Sequence, residues 1–321
     1  MTLSARAESF PIRGSFTISR GSKTSADVVL VEARDGAAAG RGECVPYPRY
    51  DETVPGAIAE IEKLPPGLDR ERLRSAMKAG AARNAVDCAL WDLEAKRTGK
   101  PAWKLAGLPE PKPVVTAYTL SLDMADAMGR AAAEHAHRPL LKLKLAGEGD
   151  IPRVEAVRRN APKSRLIVDA NEGWKPEMLP DYLEAMARLG VELIEQPLPA
   201  GKDDVLQGLK RDVTICADES CHGIDSLAGL KGRYDAVNIK LDKTGGLTEA
   251  LAVAREAERL GFKIMIGCML ATSLAMAPAL LVAQLADFVD LDGPLLLAKD
   301  RPDGIDYRDG MAFPPRAALW G

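Results

Sequence analysis

Five charged residues recur at nearly equal intervals in the second half of the chain, and together they could transfer a proton beside a metal ion. Lys144, Asp169, Glu195, Asp218 and Lys240 are 22 to 26 residues apart, and each ends or follows a short apolar run. That interval is about one strand plus one helix, so the five residues would occupy neighbouring places at one rim of a parallel barrel. Three carboxylates held close together repel unless a cation neutralises them. Oxygen ligands with few protein partners suit Mg²⁺.

The lysines lie on both sides of this acidic group. In Lys142-Leu143-Lys144, the alternation of a strand puts both ammonium groups on one face, and burying them is costly unless they have a function. Lys144 and Lys240 belong to segments four strands apart and would approach the metal from opposite sides. A lysine beside a metal and a second lysine can have a lowered pKa and act as a base. The pattern therefore predicts removal of a proton from one face of a carbon and its return to the other.

Eight short apolar runs that alternate with helical segments would position these residues. The predicted strands are Val115–Leu120, Leu140–Leu145, Leu166–Val168, Val191–Ile194, Thr214–Ala217, Ala236–Ile239, Lys263–Ile266 and Phe288–Leu291. Strands alternating with helices indicate a parallel sheet, and eight of them favour a closed barrel. An open doubly wound sheet is the alternative. It normally has a glycine-rich loop after its first strand, whereas Ser121-Leu122-Asp123 follows here.

The N-terminal part has a different pattern. β-Branched runs at Phe16–Ile18 and Asp27–Glu32 predict strands, and apolar residues at three- and four-residue intervals from Ser75 to Lys96 predict a helix. We therefore expect an α+β domain over residues 1–112, completed by residues 300–321. The barrel would span residues 113–299.

Composition excludes several classes of protein. A formal net charge of −3 gives no reason to expect nucleic acid or an anionic membrane as a partner. Five cysteines without a CxxC pair fit a reducing compartment. Met1–Phe10 lacks the apolar core of a secretory signal, and the apolar stretch Leu274–Leu285 is too short to span a bilayer. We expect a cytoplasmic protein; the sequence does not indicate its oligomeric state.

Each signal has a simpler interpretation when taken alone. Asp169 could be a helix N-cap or a loop charge, Lys142-Leu143-Lys144 a surface strand, and Asp290-Leu291-Asp292 a solvated edge strand. The combination favours a site, because five consecutive strand ends carry the required charge in the required order. A non-catalytic barrel with a binding or scaffolding role would be expected to have lost at least one of the five residues.

These segments resemble the enolase superfamily, muconate-lactonizing subgroup. The similar segments are Lys142-Leu143-Lys144, Val168-Asp169-Ala170-Asn171-Glu172, Glu195-Gln196-Pro197, Ala217-Asp218-Glu219-Ser220, Asn238–Gly246 and, near the N-terminus, Ala85–Leu93. They cover nearly the whole chain in order. The resemblance implies an α+β capping domain over a (β/α)7β barrel, which is a modified TIM barrel. Enolase-superfamily sites pair a lysine or histidine base with Mg²⁺, so that pairing belongs to the superfamily and is not deduced from this sequence.

Within the subgroup, three segments resemble the dipeptide epimerases, including the L-Ala-D/L-Glu epimerases of murein peptide recycling. They are Gly42–Tyr50, Gly267-Cys268-Met269 and Asp290-Leu291-Asp292. The resemblance implies epimerisation of a dipeptide, most simply L-Ala-D/L-Glu, by two-base proton transfer through an enolate stabilised by Mg²⁺. A lyase or cycloisomerase of the o-succinylbenzoate synthase or muconate type acts on substrates without an ammonium, which Asp290 and Asp292 disfavour. A mandelate-type racemase would need a histidine base near Cys268.

The resemblance also implies a role for each matching residue. The implied Mg²⁺ ligands are Asp169, Glu195 and Asp218, and the implied acid/base pair is Lys144 and Lys240. Lys142 would help to hold the substrate carboxylate and depress the pKa of Lys144. Asp290 and Asp292 would bind the free ammonium of the dipeptide, and Thr119 and Cys268 would lie near the substrate.

A glutamyl side chain would need a cation from the capping loops. The candidates are Arg20, Lys23 and Arg49. If none of them faces the site, a hydrophobic dipeptide becomes the expected substrate.

Overall fold

The N-terminal part of the chain is a three-stranded antiparallel sheet covered by helices. The structure, a computed structural model, describes residues 1–321. The sheet has the order β1 (Thr2–Ile18), β2 (Gly21–Asp35), β3 (Ala38–Cys44). A 3₁₀ helix at Pro48–Tyr50 follows, then α1 (Val54–Glu62), α2 (Arg70–Ala76), α3 (Ala81–Thr98) and α4 (Ala102–Leu105).

Two N-terminal predictions need correction. The strand predicted at Phe16–Ile18 is the end of a much longer strand. The helix predicted from Ser75 is two helices, because the chain leaves α2 at Ala76 and enters α3 through Gly80, whose φ of 147° suits only glycine. Helix α3 then packs very closely on β3. A Cβ added to Gly42 would lie 2.0 Å from the carbonyl oxygen of Ala85, so this approach requires a glycine.

The rest of the chain alternates strands and helices and confirms the predicted α/β barrel architecture. The first strand is interrupted, as β4 (Val114–Val115) and β5 (Tyr118–Leu120). The remaining barrel strands are β6 (Leu140–Lys144), β7 (Arg165–Asp169), β8 (Val191–Glu195), β9 (Thr214–Ala217), β10 (Ala236–Ile239), β11 (Lys263–Ile266) and β12 (Phe288–Val289). Strands β5 to β12 form one eight-stranded sheet in chain order, with parallel pairing throughout.

Helices follow most of these strands. They are α5 (Ala125–Glu134), α6 (Asp150–Asn160), α7 (Leu179–Arg188), α8 (Ile224–Leu230), α9 (Leu241–Thr244), α10 (Leu247–Arg259), α11 (Ser273–Ala283) and α12 (Gly293–Leu296). A 3₁₀ helix at Pro176–Met178 precedes α7. Between β8 and β9 the chain forms only a 3₁₀ helix, Asp204–Leu206.

The sheet curls until its two edge strands meet. The amide of Ala117 donates to the carbonyl oxygen of Val289 at 2.8 Å, which joins the first and last strands. Eight residues, one from each successive strand position, pack together inside as a separate apolar cluster: Ala117, Leu140, Ile167, Leu193, Cys216, Ala236, Met265 and Phe288. This layer fills the lower barrel, so the polar side chains two residues further along the strands lie above an apolar floor.

The segment after the barrel lies against the N-terminal part. Strand β13 (Tyr307–Arg308) pairs with β14 (Met311–Ala312), and β14 in turn pairs with β4. The indole of Trp320 then donates to the carbonyl oxygen of Cys88 at 3.0 Å, and the amide of Gly321 donates to Asp92 at 2.8 Å. No helix of the protein is both long and apolar enough to cross a lipid bilayer.

Candidate active site

A cavity of about 460 Å³ lies at the C-terminal ends of the barrel strands, beneath the turn between β1 and β2. Its wall includes most residues that the sequence singles out: Arg20, Lys23, Arg49, Thr119, Lys144, Asp218, Lys240, Cys268, Asp290 and Asp292. Lys142, Asp169 and Glu195 lie deeper, and each is at most 1% exposed. The cavity therefore brings residues from distant strands to one place.

Lys142 lies among three carboxylates at the bottom of the site. Its Nζ is 2.6 Å from Glu195 Oε2, 2.6 Å from Asp290 Oδ2 and 3.3 Å from Asp169 Oδ2. Asp169 and Glu195 are register partners on β7 and β8. One ammonium group can reach all three acids, so their carboxylates converge.

The other lysines bind the acids from two sides. Lys144 Nζ donates to Asp169 Oδ2 at 2.6 Å, and Lys240 Nζ donates to Asp218 Oδ2 at 2.6 Å. Lys240 Nζ also lies 3.9 Å from Glu195 Oε1. The predicted acid/base pair thus enters from β6 and from the end of β10, with the acidic group between the two amines.

The carboxylates differ in their protonation behaviour. Burial, reinforced by the charges of Asp169 and Asp218, raises the pKa of Glu195 to about 7. Although burial acts in the opposite direction, Lys144 and Lys142 hold the pKa of Asp169 below its usual range. Lys240 and Lys243 do the same for the pKa of Asp218. Glu195 therefore experiences the excess negative charge of this group.

The expected lowering of a lysine pKa is not found at Lys240. Burial acts to lower the pKa of Lys240, but Asp218 and Glu195 outweigh it and raise that pKa well above its ordinary value. The same balance, with Asp290, Glu195 and Asp169 as the acids, raises the pKa of Lys142. The reason is direct contact with anions, which favours the charged form of an amine.

The donor chemistry fits a hard divalent cation, although the side chains are not arranged around one. No group of three or more His, Cys, Asp or Glu side chains already surrounds a common ion position, since the carboxylates point at lysine ammonium groups. Glu195 Oε2 is buried and has no hydrogen bond of good geometry, despite its ion-pair contact with Lys142. The predicted ligands Asp169, Glu195 and Asp218 offer only carboxylate oxygens, which are the donors that Mg²⁺ prefers. The metal-ligand assignment therefore stays a prediction.

The two aspartates after β12 are not equivalent. Asp290 binds Lys142 through Oδ2, and its Oδ1 is buried without a hydrogen bond. Asp292 Oδ2 accepts the amide of Thr119 at 2.6 Å. Burial and the Asp290 carboxylate raise the pKa of Asp292 to about 7. Both acids line the cavity, so a cation bound there would relieve the repulsion between them.

The three capping-loop cations also differ. Arg20 Nη2 donates to Glu219 at 2.8 Å, and its other nitrogens donate to Tyr47, to Glu172 and to the carbonyl oxygen of Asn171. Arg49 makes two hydrogen bonds to Glu172, at 3.0 and 2.9 Å.

Lys23 has a different environment. Its Nζ lies 5.5 Å above the ring of Tyr47 and forms no salt bridge. Of the three cations, Lys23 is the one whose charge is left for a ligand.

Four further residues of the site did not emerge as candidates from the sequence. Asn238 donates to Glu195 Oε1 at 2.7 Å, and Lys243 Nζ lies 2.5 Å from Asp218 Oδ1. Glu219 accepts a hydrogen bond from Arg20. Gly267 has no side chain and so leaves the space that Asn238 occupies. Asn238 precedes Lys240 by two residues, so strand alternation could have placed it on the inner face. Nothing in the sequence marked the partners of Glu219 or Lys243.

Known proteins resemble this chain over nearly its whole length. An L-Ala-D/L-Glu epimerase of Escherichia coli K12 is 46% identical over 96% of this chain and 98% of its own. An N-acetyl-D-glutamate racemase of a Pseudoalteromonas species is 45% identical over 92% and 95%. The structure also superposes on a crystal structure of an enolase family member from Agrobacterium tumefaciens, with a TM-score of 0.97. That protein has homology to dipeptide epimerases, and its crystal structure contains bound sodium and L-Ala-L-Glu. That protein is 57% identical, and 99% of each chain is covered.

Two family models divide the chain between them. The N-terminal domain of mandelate racemase and muconate lactonizing enzyme matches residues 1–107. The enolase C-terminal domain-like model matches residues 123–318. The resemblance predicted from the motifs is therefore confirmed: the chain belongs to the mandelate racemase/muconate lactonizing enzyme family of the enolase superfamily.

Proposed function

We propose that this protein catalyses the Mg²⁺-dependent epimerisation of dipeptides at the α-carbon of the C-terminal residue, with L-Ala-D/L-Glu as the preferred substrate. The observation that carries the proposal is the placement of Lys144 and Lys240 on opposite sides of a buried acidic group, inside one cavity. The relatives named as epimerases and as a racemase support the same class of reaction. Recycling of murein peptides would use this activity.

Asp169, Glu195 and Asp218 would hold the metal ion. When bound, the ion supplies positive charge that stabilises a substrate carboxylate as its α-proton leaves, and it offsets the carboxylates that now raise the pKa of Lys240. Asn238 would keep Glu195 oriented, because its amide donates to Glu195 Oε1. Lys142 would remain as the counter-charge beneath the site.

The two lysines would move the proton. One amine removes it from the near face of the α-carbon, and the other delivers a proton to the opposite face, which inverts the centre. Lys144 and Lys240 come from β6 and from the end of β10, so neither needs to cross the substrate. The apolar cluster under the site excludes water from below.

The ends of a dipeptide find complementary groups. Asp292, together with the unbonded Oδ1 of Asp290, would bind the ammonium. Lys23 would bind the glutamyl carboxylate, because Arg20 and Arg49 already bind acids of the protein. Thr119 and Cys268 would contact the body of the substrate, since both line the cavity.

We also propose the division of the chain that the sequence suggested. Residues 1–112 would form the capping domain, completed by residues 300–321, and residues 113–299 the barrel. The contacts of Trp320 and Gly321 with α3 support this division. Five free cysteines, four of them buried, suit a protein of the cytoplasm.

Deuterium exchange tests the proposal. The protein is incubated with Mg²⁺ and L-Ala-L-Glu in D₂O, and proton NMR follows the α-proton of the glutamyl residue. Loss of that signal together with the appearance of L-Ala-D-Glu supports epimerisation. No exchange with any member of a dipeptide library, or reaction with succinylbenzoate precursors alone, would overturn it.

Racemisation of N-acetylglutamate is a second candidate, because one relative is a racemase of that compound. The hydrogen bond from Lys142 to Asp290 favours it as well, since it occupies one of the carboxylate oxygens that would otherwise bind an ammonium. An N-acetyl amino acid has no ammonium for Asp292 to bind. The two functions are separated by comparing kcat/KM for L-Ala-L-Glu and N-acetyl-L-glutamate in the wild type and in Asp292→Asn. A dipeptide epimerase loses activity mainly on the dipeptide, whereas an N-acetylglutamate racemase prefers the acetylated substrate before any substitution.

A further inference from the structure

The side chain of Gln196 connects the ends of two strands that carry acidic residues of the site. Gln196 directly follows Glu195, is fully buried and has a left-handed backbone with φ of 35°. Its Oε1 accepts the amides of Asp218 at 2.9 Å and Ser220 at 3.1 Å. One amide group therefore joins the residue after Glu195 to the backbone of Asp218.

The nitrogen of the same amide is also fully used. The two hydrogens of Nε2 are shared among three acceptors: the carbonyl oxygen of Leu198 at 2.8 Å, Ser220 Oγ at 2.9 Å and the hydroxyl of Tyr234 at 2.9 Å. Gln196 thus contacts residues that precede β9, follow β9 and precede β10.

Asp203 reinforces the orientation that the backbone amide of Asp218 and the carbonyl oxygen of Leu198 already give the Gln196 amide. Its Oδ2 accepts Ser220 Oγ at 2.6 Å and the Tyr234 hydroxyl at 2.5 Å, while Arg233 Nη1 donates to its Oδ1 at 2.6 Å. A carboxylate paired with arginine has no proton to give, so both hydroxyls donate to Asp203. Their oxygens can then only accept from Gln196, which must present its nitrogen to them and its oxygen to the Asp218 amide.

This polar cluster lies in the one barrel connection without an α-helix. Residues between β8 and β9 form only the 3₁₀ helix Asp204–Leu206. Asp203 is nevertheless fully buried. Hydrogen bonds therefore fix the position of the two strand ends where other connections rely on helix packing.

We propose that Gln196, oriented by Asp203, is a positioning residue that sets the placement of Asp218 relative to Glu195 and so the affinity of the site for a divalent cation. The inference rests on the metal site of the proposed function. Groups that orient metal ligands without touching the ion typically change metal affinity or activity by about 10- to 100-fold when they are lost.

The substitution Gln196→Glu tests this with almost no change of shape. It replaces the donating nitrogen by an oxygen that faces two hydroxyl oxygens and a carbonyl. We expect the dissociation constant for Mn²⁺, used as a probe for Mg²⁺ and measured from the free-ion signal in electron paramagnetic resonance, to rise at least about tenfold. Gln207→Glu makes the same change at an exposed position of the same connection and should leave Mn²⁺ binding unaltered.

A second substitution tests the orienting role of Asp203. In Gln196→Glu/Asp203→Asn, the new amide at position 203 can donate to the hydroxyl oxygens, which frees both hydroxyls to donate to the new carboxylate at position 196. We expect the double variant to recover part of the Mn²⁺ affinity that Gln196→Glu loses, because the Leu198 carbonyl still faces a carboxylate oxygen. Melting temperatures of the metal-free variants separate the two explanations: an Mn²⁺ affinity that only follows the melting temperature would overturn the positioning role.

The outcomes separate this inference from the proposed function. Wild type that binds no Mn²⁺ overturns both. Wild type that binds Mn²⁺ alongside a folded Gln196→Glu variant of equal affinity overturns the positioning role alone, and a double variant without recovery overturns the part of Asp203. If Gln196→Glu does not fold, Tyr234→Phe keeps the ring and removes one hydroxyl. It should weaken Mn²⁺ binding about threefold, and unchanged binding overturns the proposal.

Discussion

At the scale of single residues, the site balances buried charges. Lys142 approaches Asp169, Glu195 and Asp290, and Asp218 lies between Lys240 and Lys243. Isolated buried charges are very unfavourable, so each of these groups depends on its partners. The arrangement explains why several ionised side chains can occupy the upper barrel interior without solvent.

Removing one catalytic amine should separate the two proton transfers. In Lys240→Ala, Lys144 can still exchange the α-proton of the isomer that faces it, but no group returns a proton to the other face. We expect conversion of L-Ala-L-Glu to L-Ala-D-Glu to fall by at least about a thousandfold, while deuterium exchange of one isomer persists. NMR in D₂O measures both rates, and Lys163→Ala is the exposed control. Equal loss of exchange for both isomers would contradict the two-base arrangement.

Lys142 should be needed for stability more than the other lysines. Lys142→Met leaves three buried carboxylates without their shared counter-charge, at a cost of roughly 3–5 kcal/mol of unfolding free energy. A divalent cation can replace part of that charge. Addition of Mg²⁺ to the EDTA-treated protein should therefore raise the melting temperature more in Lys142→Met than in wild type. An equal rise in both proteins, measured by calorimetry, would argue against a metal site beside Lys142.

The candidate residues were predictable from the sequence, whereas their electrostatics were not. Strand alternation and equal spacing place Lys144, Asp169, Glu195, Asp218 and Lys240 correctly at one rim. The spacing does not show that the amines bind the acids directly, and that contact reverses the expected pKa direction of Lys240. The sequence also does not show that Arg20 binds Glu219, because these residues are 199 positions apart and meet only in the folded chain.

At the scale of elements, close approaches at strand ends set the geometry of the site. Strand β11 ends at Ile266, and Gly267 follows it where the side chain of Asn238 crosses the barrel. A Cβ on Gly267 would lie 2.7 Å from Asn238 Oδ1. The absence of a side chain there allows Asn238 to reach Glu195.

Gly267→Ala should disturb this contact. The added methyl displaces Asn238 from Glu195 Oε1, so we expect Mg²⁺ affinity and kcat/KM each to fall about tenfold. Isothermal titration with Mg²⁺ measures the first quantity directly. Gly223→Ala serves as the control, because its Cβ would meet no atom within 4 Å. Unchanged Mg²⁺ binding in Gly267→Ala would show that Asn238 does not orient Glu195.

The elements were predicted with uneven success, for physical reasons. Barrel strands are buried on both faces and appear as short apolar runs, so all eight were found near their true bounds. Strand β1 is a sheet edge whose residues are mostly exposed or half-buried, so little of it shows an apolar pattern. The break between α2 and α3 depends on the conformation of Gly80, which periodicity does not report.

At the scale of the whole molecule, buried polar contacts connect the N-terminal part to the barrel. Asp242, just after β10, accepts the amide of Val45 at 3.0 Å and Asn84 Nδ2 at 2.9 Å. Arg83 donates to the carbonyl oxygens of Thr244 and Gly245. These contacts fix the turn after Lys240 against helix α3.

Stability should depend on pH through Asp242. Burial raises the pKa of Asp242 to about 7, against the hydrogen bonds from Val45 and Asn84. The folded state therefore binds more protons than the unfolded state from about pH 4 to pH 7, and stability falls as pH rises through that range. Asp242→Asn removes this ionisation. Relative to wild type, its stabilising effect should grow by on the order of 3 kcal/mol between pH 5 and pH 8. Equal effects at both pH values in denaturant titrations would contradict this.

Arg20 spans the entrance of the cavity, from the β1–β2 turn to Glu219, Glu172 and the Asn171 carbonyl on the barrel side. A molecule entering or leaving by this route passes this guanidinium and its two carboxylate partners. Arg20 is partly exposed, so its attraction for a charged ligand weakens as salt increases. We therefore expect substrate entry and product release to depend on ionic strength more than the chemical step, which is enclosed below.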